Sequence, residues 1–208
     1  MILDPQQLLI FVPAALALNL TPGNDMLFCL GQGIRSGPRA GIAASLGIAT
    51  GAVVHTRLAG AGLAGLLAAN PAAFEAIRWA GIAYLVWLAI GAVRGGGPLQ
   101  PSAARPGGAF AAWRDGMVVN LLNPKVIVFM FAFLPQFVDP ARGSPFLQFL
   151  LLGAILNIGG TAINGLVGGF AGSIGRVLAG SRRVARAFEL ATGAVFLALA
   201  ARLALDRR

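Results

Sequence analysis

Apolar runs of about 18 residues or more, recurring along the chain, restrict its fold more than any other feature. A soluble helix turns a polar face to water every few residues, so its apolar runs end within about 10–14 residues. In this sequence they continue over residues 5–33, 40–69, 73–93, 109–138, 146–173 and 184–204. Each of these six stretches is long enough to cross a hydrocarbon core about 30 Å thick. With 57% hydrophobic and 11% charged residues and a mean hydropathy of +0.79, the chain is built for lipid. Lipid offers backbone groups no hydrogen bonds, so every span must be helical. The expected class is an all-α integral membrane protein of six transmembrane helices.

The first apolar run opens on Asp4 rather than on a basic segment, so it reads as a retained span and not as a removable leader. The stretch "RGGGPLQPSAARPGG", Arg94 to Gly108, is rich in Gly, Pro and Arg, has no periodicity, and reads as a linker. It divides a single transporter domain, residues 1–208, into one half of about 1–95 and another of about 109–208, each with three spans.

The net charge of +9 and isoelectric point of 11.7 could suggest a nucleic-acid partner. The arginines are instead dispersed in short connectors, without the clustering and interleaved aromatics of a nucleic-acid surface. They fit a role in membrane orientation. Arg35, Arg39, Arg94, Arg105, Arg114, Arg176, Arg182, Arg183 and Arg186 fall on one side of a six-span chain. Arg78, Arg142, Arg207 and Arg208 fall on the other, with Arg202 near the end of the last span. The richer side is expected to be cytoplasmic, which puts both termini in the periplasm. Fifteen arginines against one lysine, with abundant alanine and glycine, fit a GC-rich bacterial genome. Cys29 is the single cysteine, so no intrachain disulfide can form.

The two halves resemble each other at matching places. "NLTPG", Asn19 to Gly23, in the first span answers "NLLNPK", Asn120 to Lys125, in the fourth, with one residue of slip. "GIAYLVWLA", Gly81 to Ala89, answers "GAVFLALAA", Gly193 to Ala201, placing Tyr84 over Phe196 and Leu85 over Leu197. Because each half has an odd number of spans, a duplicated second half must lie inverted relative to the first. Inverted repeats meeting at interrupted helices are a transporter arrangement, with the site where the interruptions meet.

Thr21-Pro22 and Asn123-Pro124 read as starts of half-helices, with Thr or Asn as the cap and Pro at the first helical position. Such a start presents unpaired N–H groups and the positive end of the helix dipole, which suits a carboxylate. Carbonyls just before it suit an ammonium. Gly23 permits close backbone approach. Asp25 and Lys125 follow the breaks by about one turn or less, and charges at membrane depth need partners. The dipole favours Asp25 and opposes Lys125, so Lys125 calls for an anion, either Asp25 or a substrate carboxylate.

In the second span, Gly47, Gly51 and His55 recur every four residues and make a smooth face that another helix can approach. His55 is either a packed histidine bonding a nearby carbonyl or a proton relay. Arg57 points away from that face and needs a partner that the sequence does not name. No serine has a positioned base, no glycine-rich phosphate loop precedes a helix, and one histidine with one cysteine cannot make a metal site. The chain is therefore expected to be neither a hydrolytic enzyme nor a metal or cofactor protein. The alternatives to organic-solute transport are an inorganic-ion transporter or channel, a membrane scaffold, and an intramembrane enzyme.

"TPGND", "GIATGAVVH", "GIAYLVWLAIG" and "NLLNPKVIVFMFAFLPQFVD" together resemble the LysE/RhtB family of amino-acid exporters, from about residue 5 to 205. The resemblance implies a proton-driven, dimeric exporter of amino acids or close derivatives in the bacterial inner membrane. Carried over by motif, its substrate site would comprise Thr21, Pro22, Gly23, Asn24, Asp25, Asn123, Pro124 and Lys125, with Asp25 and His55 coupling protons. Asn24 stands where a second proline is frequent, Ala52 where a polar residue often follows the glycine, and Arg57 where an apolar residue is usual. These departures bear on the substrate rather than on the fold.

Overall fold

The computed structural model describes residues 2–69, 71–94, 107–173 and 182–205, and all regular structure among them is helical. Most of the linker expected at 94–108 lies outside the described residues. Helix α1 runs Pro5–Leu20, α2 Asn24–Ser36, α3 Pro38–Ala69, α4 Pro71–Arg94 and α5 Ala109–Leu121. Helix α6, Pro124–Val128, passes directly into a π-turn, Phe129–Phe133, and a 3₁₀ turn, Leu134–Phe137. A further 3₁₀ turn at Pro140–Arg142 precedes α7, Pro145–Gly169, and the last helix, α8, runs Arg182–Leu205.

Proline sets most of these starts. Pro5, Pro38, Pro71, Pro124 and Pro145 each open a helix, where the missing N–H would have had no partner. Asp4 caps α1 by accepting from Gln6 N at 2.9 Å, and Ser144 caps α7 by accepting from Leu147 N at 3.4 Å. Gly37 ends α2 with φ +86, a conformation that glycine adopts without steric cost. Within the fourth apolar run, Pro135 cannot donate to the preceding turn, and the backbone there loosens to π and then tightens to 3₁₀.

Among the described residues, two helices are long and apolar enough to cross a membrane unaided, over Pro38–Gly62 and Pro145–Gly169. A third span results if α5 and the segment Pro124–Phe137 are taken together across their 52° bend. Large apolar side chains are exposed on several helices, among them Leu9, Trp87, Phe110 and Ile158, as expected of a surface that faces lipid.

With lipid outside, apolar burial drives helix association weakly and close packing of small residues takes over. The contacts of α3 follow that rule. A Cβ at Gly41 would come within 2.4 Å of the Gly168 carbonyl oxygen on α7, and one at Gly47 within 1.9 Å of the Trp113 carbonyl oxygen on α5. The smooth face expected at Gly47, Gly51 and His55 is thus the seam between α3 and α5. A separate aromatic core gathers Phe11, Phe129, Phe133, Phe137 and Phe149, with Phe129 and Phe133 at 4.6 Å between ring centroids and Phe133 and Phe137 at 5.0 Å.

The candidate site at the two helix breaks

The break between α1 and α2 comprises Thr21, Pro22 and Gly23, and that between α5 and α6 comprises Leu122 and Asn123. The second break forms as its sequence predicts. Asn123 caps α6 by accepting from Lys125 N at 3.0 Å, and Pro124 takes the first helical position.

The first break forms differently. Thr21 does not cap α2; its hydroxyl donates backward to the Ala17 carbonyl at 2.8 Å and closes the end of α1. Pro22 lies in the break, and α2 starts at Asn24 with Gly23 as a cap that has no side chain to contribute. A threonine hydroxyl can bond either way along the chain, and here the backward bond leaves the Thr21 carbonyl free to accept from outside.

That acceptor is used by the opposite break. Lys125 reaches across to donate to Thr21 O at 2.9 Å and Leu18 O at 3.2 Å, so its ammonium rests on the negative end of α1. Its side chain crosses Gly23 so closely that a Cβ there would lie 3.1 Å from Nζ. In return, α5 and the second break hold the acid of the first. Asp25 accepts from Asn120 Nδ2 and from Asn123 Nδ2, each at 2.8 Å. Asp25 and Lys125 therefore do not pair directly. Each charge is bonded to the other broken helix, and four hydrogen bonds fasten the two broken helices together.

A cavity opens beside this crossing. Leu18, Asn19 and Thr21 line it from α1 and its end, Asp25 and Met26 from α2, and Ile48 and Ala52 from α3. Asn120, Lys125, Val126, Phe129 and Met130 come from the fourth apolar run, and Leu156, Asn157, Gly160, Thr161 and Asn164 from α7. Of the residues predicted from sequence, Thr21, Asp25 and Lys125 line the cavity, and Asn123 braces Asp25 from beside it. Pro22, Gly23, Asn24 and Pro124 shape the breaks without lining it.

His55 also stands outside the lining. Its Nε2 lies 3.2 Å from the Asn120 carbonyl, and since a carbonyl can only accept, the ring nitrogen is the donor. The histidine is thus bonded behind a residue that holds Asp25. Arg57 is exposed on α3, away from the cavity. No group of three or more His, Cys, Asp or Glu side chains suited to a metal ion occurs among the described residues.

Sequence reasoning missed Asn120, Asn157, Thr161 and Asn164. A signal for them exists. Asn120 is the residue that answers Asn19 between the halves, and Asn157, Thr161 and Asn164 fall at i, i+4 and i+7, one face of an apolar helix.

Gly51 permits this arrangement, because a Cβ there would meet Asn120 Oδ1 at 2.8 Å and the Met117 carbonyl at 3.0 Å. Gly51→Ala is expected to push Asn120 off Asp25 and to cost about 1–3 kcal/mol by overpacking. Thermal unfolding in detergent checks the stability, and transport checks the loss of the Asn120 bond.

A family profile described as LysE type translocator matches residues 16–207. The chain belongs to the LysE family. A homoserine/homoserine lactone efflux protein of Salmonella typhimurium is 32% identical over 191 residues, 91% of this chain and 92% of that protein. A leucine efflux protein of Enterobacter sp. strain 638 is 32% identical over 199 residues, 93% of each chain. An uncharacterized membrane protein of Vibrio cholerae is 36% identical over 168 residues, 77% of this chain and 82% of the relative. No solved structure matches. Within this LysE family member, two of the four motifs that carry the family resemblance, TPGND and NLLNPKVIVFMFAFLPQFVD, build the two breaks.

Proposed function

We propose that this LysE family member exports an amino acid or a close derivative across the bacterial inner membrane, by proton antiport with alternating access. The observation that carries the reading is the crossing of two helix breaks at a cavity that offers both signs of charge. The amides that open α2 have no intrahelical acceptor and suit a substrate carboxylate. Lys125 has three donors, two of them committed to carbonyls, which leaves one for the same carboxylate. Asp25 lies on the cavity wall within the same cluster and suits the ammonium. Protonation of Asp25 would weaken its hold on that ammonium and couple release to proton movement. His55 would act one step removed, through Asn120. Efflux relatives named for homoserine and for leucine support an amino-acid cargo.

Six spans in two inverted repeats account for the packing. A two-fold axis exchanging the halves pairs α3 with α7 and α4 with α8, and both pairs are extensively packed. The burial of α4 and α8 also corresponds, with Leu85 answering Phe196 rather than Leu197, one residue from the register read in the sequence. Two further bonds fit the predicted sidedness. Arg142 pairs with Asp4 at 3.0 Å, consistent with the N-terminus and the connector before α7 sharing the periplasmic side. Arg186 donates to Val93 O at 2.7 Å, consistent with a shared cytoplasmic side for the end of α4 and the start of α8. A homodimer is the assembly that the family resemblance implies.

The test is efflux of labelled amino acids from proteoliposomes under an imposed proton gradient. Efflux that stops when a protonophore collapses the gradient is the expected result. Conductance of inorganic ions without amino-acid movement would replace this reading with that of an ion pathway.

A further inference from the structure

Four asparagines line the cavity: Asn19, Asn120, Asn157 and Asn164. Three of them are tied into the fold. Asn19 donates to Leu156 O at 3.0 Å, and Asn120 donates to Asp25 at 2.8 Å. Asn157 donates to Ala49 O at 3.1 Å and accepts from Thr161 at 3.3 Å. Asn164 differs from these. It is 7% exposed, faces the cavity, and has no hydrogen-bond partner among the described residues. Ser45 on the facing helix makes no bond to it, and that hydroxyl donates instead to Thr161 O at 2.9 Å.

An amide that the fold leaves without a protein partner and open to a cavity is available to whatever the cavity holds. Asn164 carries both a donor and an acceptor. The Oδ1 of Asn120 also lacks a partner, but it is enclosed against Gly51 rather than open to the cavity. The cavity thus offers hydrogen bonds in two places: at the helix breaks, where the α-amino and α-carboxylate groups are proposed to lie, and at Asn164 on α7.

We infer that Asn164 hydrogen-bonds the side chain of the exported amino acid, and that the carried class has a short, uncharged, hydrogen-bonding side chain, a hydroxyl or a carboxamide, rather than an aliphatic one. This rests on the amino-acid reading above. A hydroxyl or carboxamide can both give and accept a bond, as the Asn164 amide requires. An aliphatic side chain of the same shape seals the cavity and leaves that amide desolvated and unpaired. Discrimination then comes from the penalty on the wrong substrate, the strongest basis on which a site can separate isosteres.

Threonine and valine have nearly the same shape and differ in this bond, as do asparagine and leucine. The full chain in proteoliposomes, loaded with one labelled amino acid at a limiting concentration, is expected to expel threonine on the order of tenfold faster than valine, and asparagine similarly faster than leucine. Asn164→Leu is expected to bring each pair within about twofold while still carrying valine. Asn164→Ser keeps a donor and an acceptor and is expected to keep the preference. Equal efflux of threonine and valine by the unaltered chain overturns this inference and leaves the amino-acid reading standing. Efflux of none of the four overturns both. A preference undiminished in Asn164→Leu overturns the role of Asn164. If that variant fails to insert, the ratio of the unaltered chain and the behaviour of Asn164→Ser decide.

Discussion

Vesicles carrying Asp25→Asn are expected to retain an amino acid that unaltered vesicles expel, with efflux falling to background although the variant inserts normally. The substitution keeps the shape of the side chain and changes what it can bond. Asp25 accepts from two amide nitrogens at once, those of Asn120 and Asn123. An asparagine in its place has one oxygen and one amino group, so one donor stays satisfied and the other faces a donor. A hydrogen bond to a charged group contributes about 1.5–3 kcal/mol, so losing one of two loosens the crossing without unfolding a membrane protein held by its glycine seams. The greater loss is functional, because the new side chain can neither attract an ammonium nor take up a proton. Vesicles loaded with labelled substrate and given a proton gradient provide the measurement, with insertion checked by detergent extraction and gel filtration. Efflux at the unaltered rate would remove Asp25 from the mechanism.

The two breaks also mark where sequence reasoning reaches and where it stops. Asn123-Pro124 was readable because its capping is local: the asparagine side chain and the proline that lacks an N–H to donate are committed within three residues. Thr21-Pro22 was not. The hydroxyl of Thr21 has two local choices, and the choice observed accompanies a bond from Lys125, 104 residues away. The partner of Lys125 escaped sequence reading for a related reason. Asp25 is the obvious counter-charge by type, but the carbonyl end of α1 has no letter in the sequence and becomes a ligand only when the chain breaks there. The all-helical fold, by contrast, was legible from hydropathy alone, and the close seam of α3 was legible from the spacing of Gly47, Gly51 and His55. The polar face of α7 was written in the spacing of Asn157, Thr161 and Asn164, yet it gains meaning only beside the breaks.

Lys125→Met is expected to abolish efflux as well, and its combination with Asp25→Asn is expected to recover nothing. If the two charges formed a simple buried pair, neutralising both would be mild, since the harm in breaking such a pair comes from the partner left charged and alone. The structure gives each charge different partners. Removing the Lys125 ammonium leaves the Leu18 and Thr21 carbonyls without their donor, at a cost of about 1–3 kcal/mol, whatever stands at position 25. Neutralising Asp25 leaves Asn120 and Asn123 poorly matched, whatever stands at position 125. The two losses should therefore lie close to their sum in the denaturation of the double variant, with efflux at background in all three. A double variant that regains both stability and transport would mean that Asp25 and Lys125 serve each other and not the solute between the breaks.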